Sequence, residues 1–297
     1  MFRRLEEKQL IAAAAAFFLV LASCRSGPEL ALPAGGGAAY LPEGRLVYAS
    51  ARAADNRELV RKLLDRFEIK TQGVRYLADN SRMIHAAVAP ELVLVAEGGF
   101  SRGLIDVGLG MDKSWRKAEV KAGGASVEVW RSRDLSMAIP SDELVVAWTT
   151  PAGDRSSSTE SAVLERLYGR PERPALSEAV MAALRGHDVA VYIPSDSGSF
   201  DFPLRHASAY LDRSAGADYE LTGLLAAAES RDPRILNVLV RVVMAGWLSS
   251  LGVKDLKTVQ SELVVSVEGS NVALRGLKFS PADLIELAAK LAGGGGP

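Results

Sequence analysis

The stretch Ser126-Val127-Glu128-Val129-Trp130 alternates polar and apolar residues without interruption. Successive side chains of a β-strand point to opposite faces of a sheet, so this pattern predicts a half-buried strand. Two more short apolar runs follow at residues 135–139 and 144–148, and Pro140-Ser141-Asp142 between them is a turn sequence. This region therefore predicts consecutive strands joined by short turns.

The rest of the chain supplies more strands and several single helices. Leu59, Val60, Leu63, Leu64 and Phe67 recur at the 3.6-residue spacing of a helix that packs one face on a core. Further strands are predicted at 46–49, 83–88, 92–96, 189–193, 219–228, 262–267 and 272–279, further helices at 100–109, 157–168, 176–184, 232–251 and from 280 onward, an extended segment at 74–77, and a helix or an amphipathic strand at 204–211.

The order of these elements indicates the fold class. Residues 45–170 and residues 175–292 each end in the order strand, strand, helix. This order predicts an α+β fold with antiparallel sheets and covering helices. The same order allows two copies of a similar unit. Glu91-Leu92-Val93 also matches Glu262-Leu263-Val264. This match aligns other strands of the two halves than the order of elements does, so the register of a duplication stays open.

The N-terminal residues have the pattern of a targeting segment. Arg3, Arg4 and Lys8 precede an unbroken apolar run from Leu10 to Ala22. A membrane-spanning helix needs roughly 20 apolar residues, whereas a signal-peptide core needs roughly 7–15. The run therefore predicts a signal peptide, and an uncleaved membrane anchor stays open as an alternative.

Leu21-Ala22-Ser23-Cys24 resembles the lipobox of bacterial lipoproteins. The resemblance implies that Cys24 is the lipidation site, that its thiol receives a diacylglyceryl group, and that residues 1–23 are removed. It also implies a membrane partner and a location in the bacterial cell envelope. In the best-known sorting rule for such proteins, an aspartate directly after the lipidated cysteine retains them in the inner membrane. This chain has Arg25 at that position, so the outer membrane is the expected location. An ordinary secretory signal with an unrelated cysteine stays open.

Residues 24–44 are predicted to form a lipidated cysteine and a flexible tether. Proline and glycine punctuate this segment, for example at Gly27-Pro28 and Gly35-Gly36-Gly37. Its few large apolar residues follow no helix or strand period, so we expect it not to fold.

Composition excludes several classes of function. The net charge of −1 gives no basic surface for nucleic acid, so no nucleic-acid partner is expected. Cys24 is the only cysteine, which leaves none for a disulfide or a thiolate metal site. No metal, cofactor-binding or catalytic residue is predicted.

Polar residues of the second half supply the hypothesis of an enzyme. His187-Asp188 with Ser195 suggests a hydrolase, although no nucleophile-elbow glycine pattern surrounds Ser195. Convergence of His187 with Asp196 or Glu220 in one pocket would support an enzyme. Asp196 and Asp201 are expected in a surface loop, and Glu97-Gly98-Gly99 in a tight turn.

The apolar helix near Ile235 to Leu251 supplies the hypotheses of binding. Arg241 near its centre argues against a membrane span and favours a buried core or interdomain helix. The sequence thus predicts a non-catalytic, lipid-anchored binding or structural module at a membrane surface. An envelope protein partner, a carrier of an apolar ligand in a cleft between the two units, and a hydrolase or other enzyme with a polar pocket in the second half are the alternatives.

Overall fold

A computed structural model of the chain shows an α+β fold, in which helices cover one antiparallel sheet of twelve strands. The structure describes residues 30–33, 35–68, 72–89, 91–149, 158–169, 174–194, 204–214, 218–227, 232–250, 252 and 255–292. The predicted fold class is confirmed.

The strands of the described ranges are all joined in this sheet. They are β1 (Val47–Ala51), β2 (Ser81–Ala89), β3 (Glu91–Gly98), β4 (Arg116–Ala122), β5 (Ala125–Arg131), β6 (Leu135–Ser141), β7 (Leu144–Thr149), β8 (Val189–Pro194), β9 (Leu204–Arg213), β10 (Tyr219–Ala227), β11 (Val264–Glu268) and β12 (Asn271–Phe279). Their order across the sheet is β11-β12-β10-β9-β8-β1-β2-β3-β7-β6-β5-β4.

Eight α-helices lie within the described residues. They are α1 (Arg57–Arg66), α2 (Gln72–Asn80), α3 (Arg102–Met111), α4 (Ser158–Tyr168), α5 (Glu178–Gly186), α6 (Pro233–Ser250), α7 (Leu256–Glu262) and α8 (Pro281–Ala292). The start of α8 follows its sequence signal, because Ser280 and Asp283 each accept the backbone N–H of the other through their side chains.

The two predicted units share the sheet. Residues 45–170 supply β1 to β7, and residues 175–292 supply β8 to β12. The two sets meet where β1 pairs with β8, with Tyr48 opposite Tyr192. Backbone hydrogen bonds therefore continue across the boundary, while the duplication itself stays a prediction.

Different elements cover the two faces of the sheet. The front face, which carries Tyr48 and Val95, packs against residues 30–32 and 38–41, α4 and α5. The back face packs against α1, α2 and α3 at one end and against α6, α7 and α8 at the other. Leu64 and Leu59 of α1 join different back-face clusters, so α1 links the two ends.

The predicted tether is packed at its C-terminal end. Gly36–Tyr40 form a short 3₁₀ helix and Leu41 is fully buried. Ahead of them, the N–H of Leu30 donates to the carbonyl oxygen of Pro140 on β6 at 3.4 Å. The prediction of an unfolded segment was wrong for residues 35–44, because it counted the apolar residues of the segment itself and not the uncovered front face that receives them.

Three further elements differ from the sequence prediction. Residues 74–77, expected to be extended, belong to α2. Strand β4 was missed because it is an edge strand whose residues are mostly exposed, so its charged sequence lacks clear alternation. Helix α7 was also missed, and the ambiguous stretch 204–211 is strand β9.

Candidate functional site

Helix α6 presents an apolar face to solvent. Ile235, Val238, Val242 and Val243 are 67%, 64%, 67% and 55% exposed, respectively. Ile235, Val238 and Val242 are spaced by three, four and seven positions and therefore share one side of the helix, and Val243 flanks them eight positions from Ile235. We call these four residues the α6 apolar face.

The opposite side of α6 holds the helix on the sheet. Leu236 and Val240 are buried in the cluster shared with β11 and β12. Nη2 of Arg241 donates to the carbonyl oxygen of Val265 at 2.6 Å, and Nδ2 of Asn237 donates to the same oxygen at 3.3 Å. Because β11 is an edge strand, these two side chains cap a carbonyl group at the edge of the sheet.

The expectation of a buried core or interdomain helix holds for one side of α6 only, since its other side is exposed. Helix α6 has apolar residues on all its sides, so the sequence pattern does not show which side faces the sheet. Among the helices of the described ranges, none has both the length and the apolar character needed to cross a membrane.

A group of polar side chains lies inside the front face. Oγ of Ser50 is 2.5 Å from Nδ1 of His85, and Nε2 of His85 is 2.8 Å from Oε1 of Glu97. The three residues lie on adjacent strands β1, β2 and β3 and are 2%, 0% and 3% exposed. We call Ser50, His85 and Glu97 the buried polar cluster.

Glu97 also holds the 3₁₀ helix against the sheet. Its Oε1 accepts the N–H of Gly37 at 2.5 Å, and its Oε2 lies 3.8 Å from Arg185 of α5. Burial by itself raises the pKa of Glu97, but the hydrogen bond and charge of His85, with Gly37 and Arg185, outweigh burial. The pKa of Glu97 therefore lies below its ordinary value. A Cβ on Gly37 would lie 2.8 Å from Cγ1 of Val95, so only glycine allows this approach.

The buried polar cluster has the residue types of a catalytic triad but lacks access for a substrate. Its contacts join serine, histidine and carboxylate. Ser50 contacts Nδ1 and Glu97 contacts Nε2, however, which reverses the ring nitrogens used in Ser-His-Asp hydrolases. With at most 3% of each residue exposed, a substrate does not reach the serine in this conformation. A fully bonded buried network instead fixes the packing around it. Sequence reasoning missed the cluster because its only signal is a single polar residue within or directly after a short apolar run on each of three strands.

The sequence candidates of the second half do not assemble as expected. Nδ1 of His187 lies 2.6 Å from Oδ2 of Asp212, and its ring stacks on Tyr210 with centroids 4.1 Å apart. Asp188 instead accepts the N–H of Arg213 at 2.8 Å. The structure thus pairs His187 with Asp212 and not with Glu220, which lies opposite Asp212 on β10. Ser195, Asp196 and Asp201 lie outside the described residues, as does Cys24.

A cleft of about 290 Å³ opens on the front face where β1 meets β8. Its lining includes Glu43, Arg45, Tyr48, Leu176 and Tyr192, and is more polar than apolar. An apolar cleft between the two units and near α6 was expected. The observed cleft does lie where the two units meet. It is polar, however, and it lies on the face of the sheet opposite α6.

The surroundings of three tryptophans and of His206 are also described. Trp115, Trp130 and Trp148 are buried. The ring of His206 lies 5.7 Å from that of Tyr192, and burial, followed by the charge of Arg205, lowers the pKa of His206. No group of three or more His, Cys, Asp and Glu side chains in the described ranges could hold a metal ion.

Comparison with known proteins relates the chain to solved structures by fold. No family model and no curated protein matches the sequence. Crystal form III of TP0453 aligns with a TM-score of 0.62 and 15% identity, over 86% of this chain and 98% of that chain. Crystal form I of TP0453 aligns with a TM-score of 0.59 and 16% identity, over 89% of this chain and 99% of that chain. The chain therefore shares the fold of these structures.

Proposed function

We propose that this protein is a lipid-anchored protein of the cell envelope, in the outer membrane, whose domain contacts a membrane surface through the α6 apolar face. It acts there as a non-catalytic binding or structural module. The observation that carries this proposal is the exposure of four branched aliphatic side chains on one stripe of a helix. These four side chains point to solvent and do not pack in the core of the domain.

The energy of such a contact suits a protein that is already held at a membrane. Fully burying one Val or Ile side chain contributes about 1.5–3 kcal/mol, so four half-exposed ones contribute on the order of 3–6 kcal/mol. That is too little for stable binding from solution. A lipid on Cys24 would keep the domain at the bilayer, and two weak membrane signals together give stable attachment.

A further exposed valine lies on the strand that α6 packs against. Val267 is 39% exposed, and it shares the back face of β11 with Val265, on which α6 packs. The charged Arg241 is turned to the sheet edge, where it bonds Val265. The stripe itself therefore carries no charged side chain, as an interfacial helix requires on its lipid side.

The test places an environment-sensitive fluorophore on α6 of the full-length, lipidated protein in vesicles of phosphatidylethanolamine and phosphatidylglycerol. Lipidation uses the thiol of Cys24, so Val242→Cys supplies the one free thiol. We expect a blue shift of the fluorophore and quenching by spin-labelled lipid. The matched control is Met111→Cys, which is 78% exposed on α3, and should show neither change.

Two results would contradict the proposal. If the fluorophore at position 242 stays in water, α6 does not contact the bilayer. If intact mass shows no lipid on the wild-type protein made in a bacterial host, beside Cys24→Ala, the anchor is absent.

A further inference from the structure

We propose that the α6 apolar face binds bilayers of acidic phospholipids in preference to zwitterionic ones, because two arginines line one side of it. This inference rests on the proposed function and adds the class of lipid headgroup that the face recognises. The arginines are Arg234 and Arg241, and we call them the α6 arginine pair. Aliphatic side chains beside a row of guanidinium groups suit the acyl chains and the anionic headgroups of one bilayer.

The α6 arginine pair lies along one flank of the α6 apolar face. Arg234 and Arg241 are seven positions apart, so they lie on the same side of the helix, and both are exposed. An α-helix turns by about 100° per residue, which places the two arginines about 40–60° from Val238 around the helix axis. Val243 lies on the opposite flank. The exposed side of α6 therefore has one cationic border and one apolar border.

The charges of the α6 arginine pair are not neutralised by a carboxylate of the described residues, since neither arginine forms an ion pair there. Nε of Arg241 donates to Oδ1 of Asn237 at 3.1 Å, and its Nη2 donates to the carbonyl oxygen of Val265. Both acceptors are uncharged, and these bonds use two of the five N–H donors of a guanidinium group. Asp232 accepts the backbone N–H of Arg234 at 2.9 Å and thereby caps the start of the helix. Both positive charges thus remain available to a ligand.

The expected size of the preference follows from the number of charges. A basic residue close to an anionic bilayer contributes about 1 kcal/mol, which is about a five-fold gain in affinity. The α6 arginine pair should therefore give a preference of about 25-fold. The aliphatic side chains of the α6 apolar face make the same contribution on any phospholipid bilayer, so the preference comes from the arginines alone.

The experiment uses the full-length Cys24→Ala/Val242→Cys protein, whose single thiol carries an environment-sensitive fluorophore on α6. Vesicles of phosphatidylcholine alone are compared with vesicles of phosphatidylcholine and phosphatidylglycerol in equal parts. We expect the half-maximal blue shift at about 25-fold lower lipid concentration when phosphatidylglycerol is present. High salt should remove most of this difference, because it screens exposed charges.

Arg234→Gln in the same labelled protein assigns the preference to α6. It removes a charge that lies outside the hydrogen bonds between α6 and the sheet. We expect about five-fold weaker contact with phosphatidylglycerol vesicles, unchanged contact with phosphatidylcholine vesicles, and wild-type behaviour for Arg234→Lys. The matched control is Arg116→Gln, since Arg116 is an exposed arginine of edge strand β4 at the other end of the sheet, and it should change neither contact. All variants have the same N-terminal residues, so differences between them arise in the domain.

Equal half-maximal concentrations for the two kinds of vesicle, with no effect of Arg234→Gln, would overturn the headgroup preference and leave the membrane contact of α6 standing. Arg234→Gln that weakens contact equally on both kinds of vesicle would also overturn it, since Arg234 would then not recognise headgroup charge. The same holds if Arg116→Gln weakens contact as much as Arg234→Gln, because net charge would then explain the effect. No blue shift with either kind of vesicle would overturn the proposed function as well.

Discussion

The buried polar cluster and the α6 apolar face each place side chains where their type is uncommon. In the first, Ser50, His85 and Glu97 lie in the core, and each has a hydrogen-bond partner there. In the second, Ile235 and Val242 and their neighbours lie in water, with no described element over them. The polar groups are explained by their contacts within the domain, whereas the apolar groups are not.

The difference separates a structural role from a functional one. A buried charge is tolerated when it is paired and hydrogen-bonded, so removing its partner should lower the stability of the domain. An exposed valine has no such contacts, so replacing it should leave stability almost unchanged. Four measurements test this contrast, ordered by the size of the expected effect on the free energy of unfolding.

Glu97→Gln should lower the free energy of unfolding by about 3 kcal/mol, because it removes the charge of a buried pair with His85. Urea denaturation measures this loss. Glu286→Gln is the control, since Glu286 forms exposed ion pairs with Lys290 and Arg66, and this variant should lose at most about 0.5 kcal/mol. Equal losses in the two variants would mean that the buried polar cluster contributes no special stability.

Acid should remove the same contribution from the wild-type protein. The pKa of Glu97 is lower in the folded state than its ordinary value of 4.5, so the stabilisation is complete above pH 4.5. It is lost as the pH falls below that value through the folded-state pKa. Urea midpoints measured from neutral pH downward should converge for wild type and Glu97→Gln in acid. A constant difference at all pH values would contradict the assignment to Glu97.

Arg241→Met should cost about 1 kcal/mol, because Val265 loses a charged hydrogen-bond donor that is partly exposed to water. It should also uncover the β11 edge and promote self-association, which sedimentation velocity measures. Arg234→Met, on an exposed position of the same helix, should change neither quantity. A monomeric Arg241→Met of full stability would show that Arg241 does not protect the edge.

Val238→Lys with Val242→Lys should change the free energy of unfolding by less than about 0.5 kcal/mol. The same variant should lose the contact of α6 with vesicles, which a fluorophore at Val243→Cys in the lipidated protein would report. A loss of stability above about 1 kcal/mol would show that the stripe packs against protein in solution. In that case, a second copy of the chain becomes the candidate partner.

Sequence reasoning succeeded where the local pattern is decisive. The alternation at Ser126 to Trp130 and the start signal at Ser280-Pro281 placed a strand and a helix correctly, since period and capping depend on neighbours in the chain. It failed at Gly36–Tyr40, whose burial depends on a sheet face formed by distant strands.

The sequence by itself determined the α+β class and the apolar character of α6, and the signal peptide before Cys24 stays a prediction from the sequence. Only the tertiary structure decided which side of α6 meets the sheet, that Arg241 reaches the edge of β11, and that Ser50, His85 and Glu97 meet. The physical reason is that composition and periodicity record what each residue prefers. Burial and pairing depend on elements that lie tens of residues apart in the chain and become neighbours only when the sheet forms.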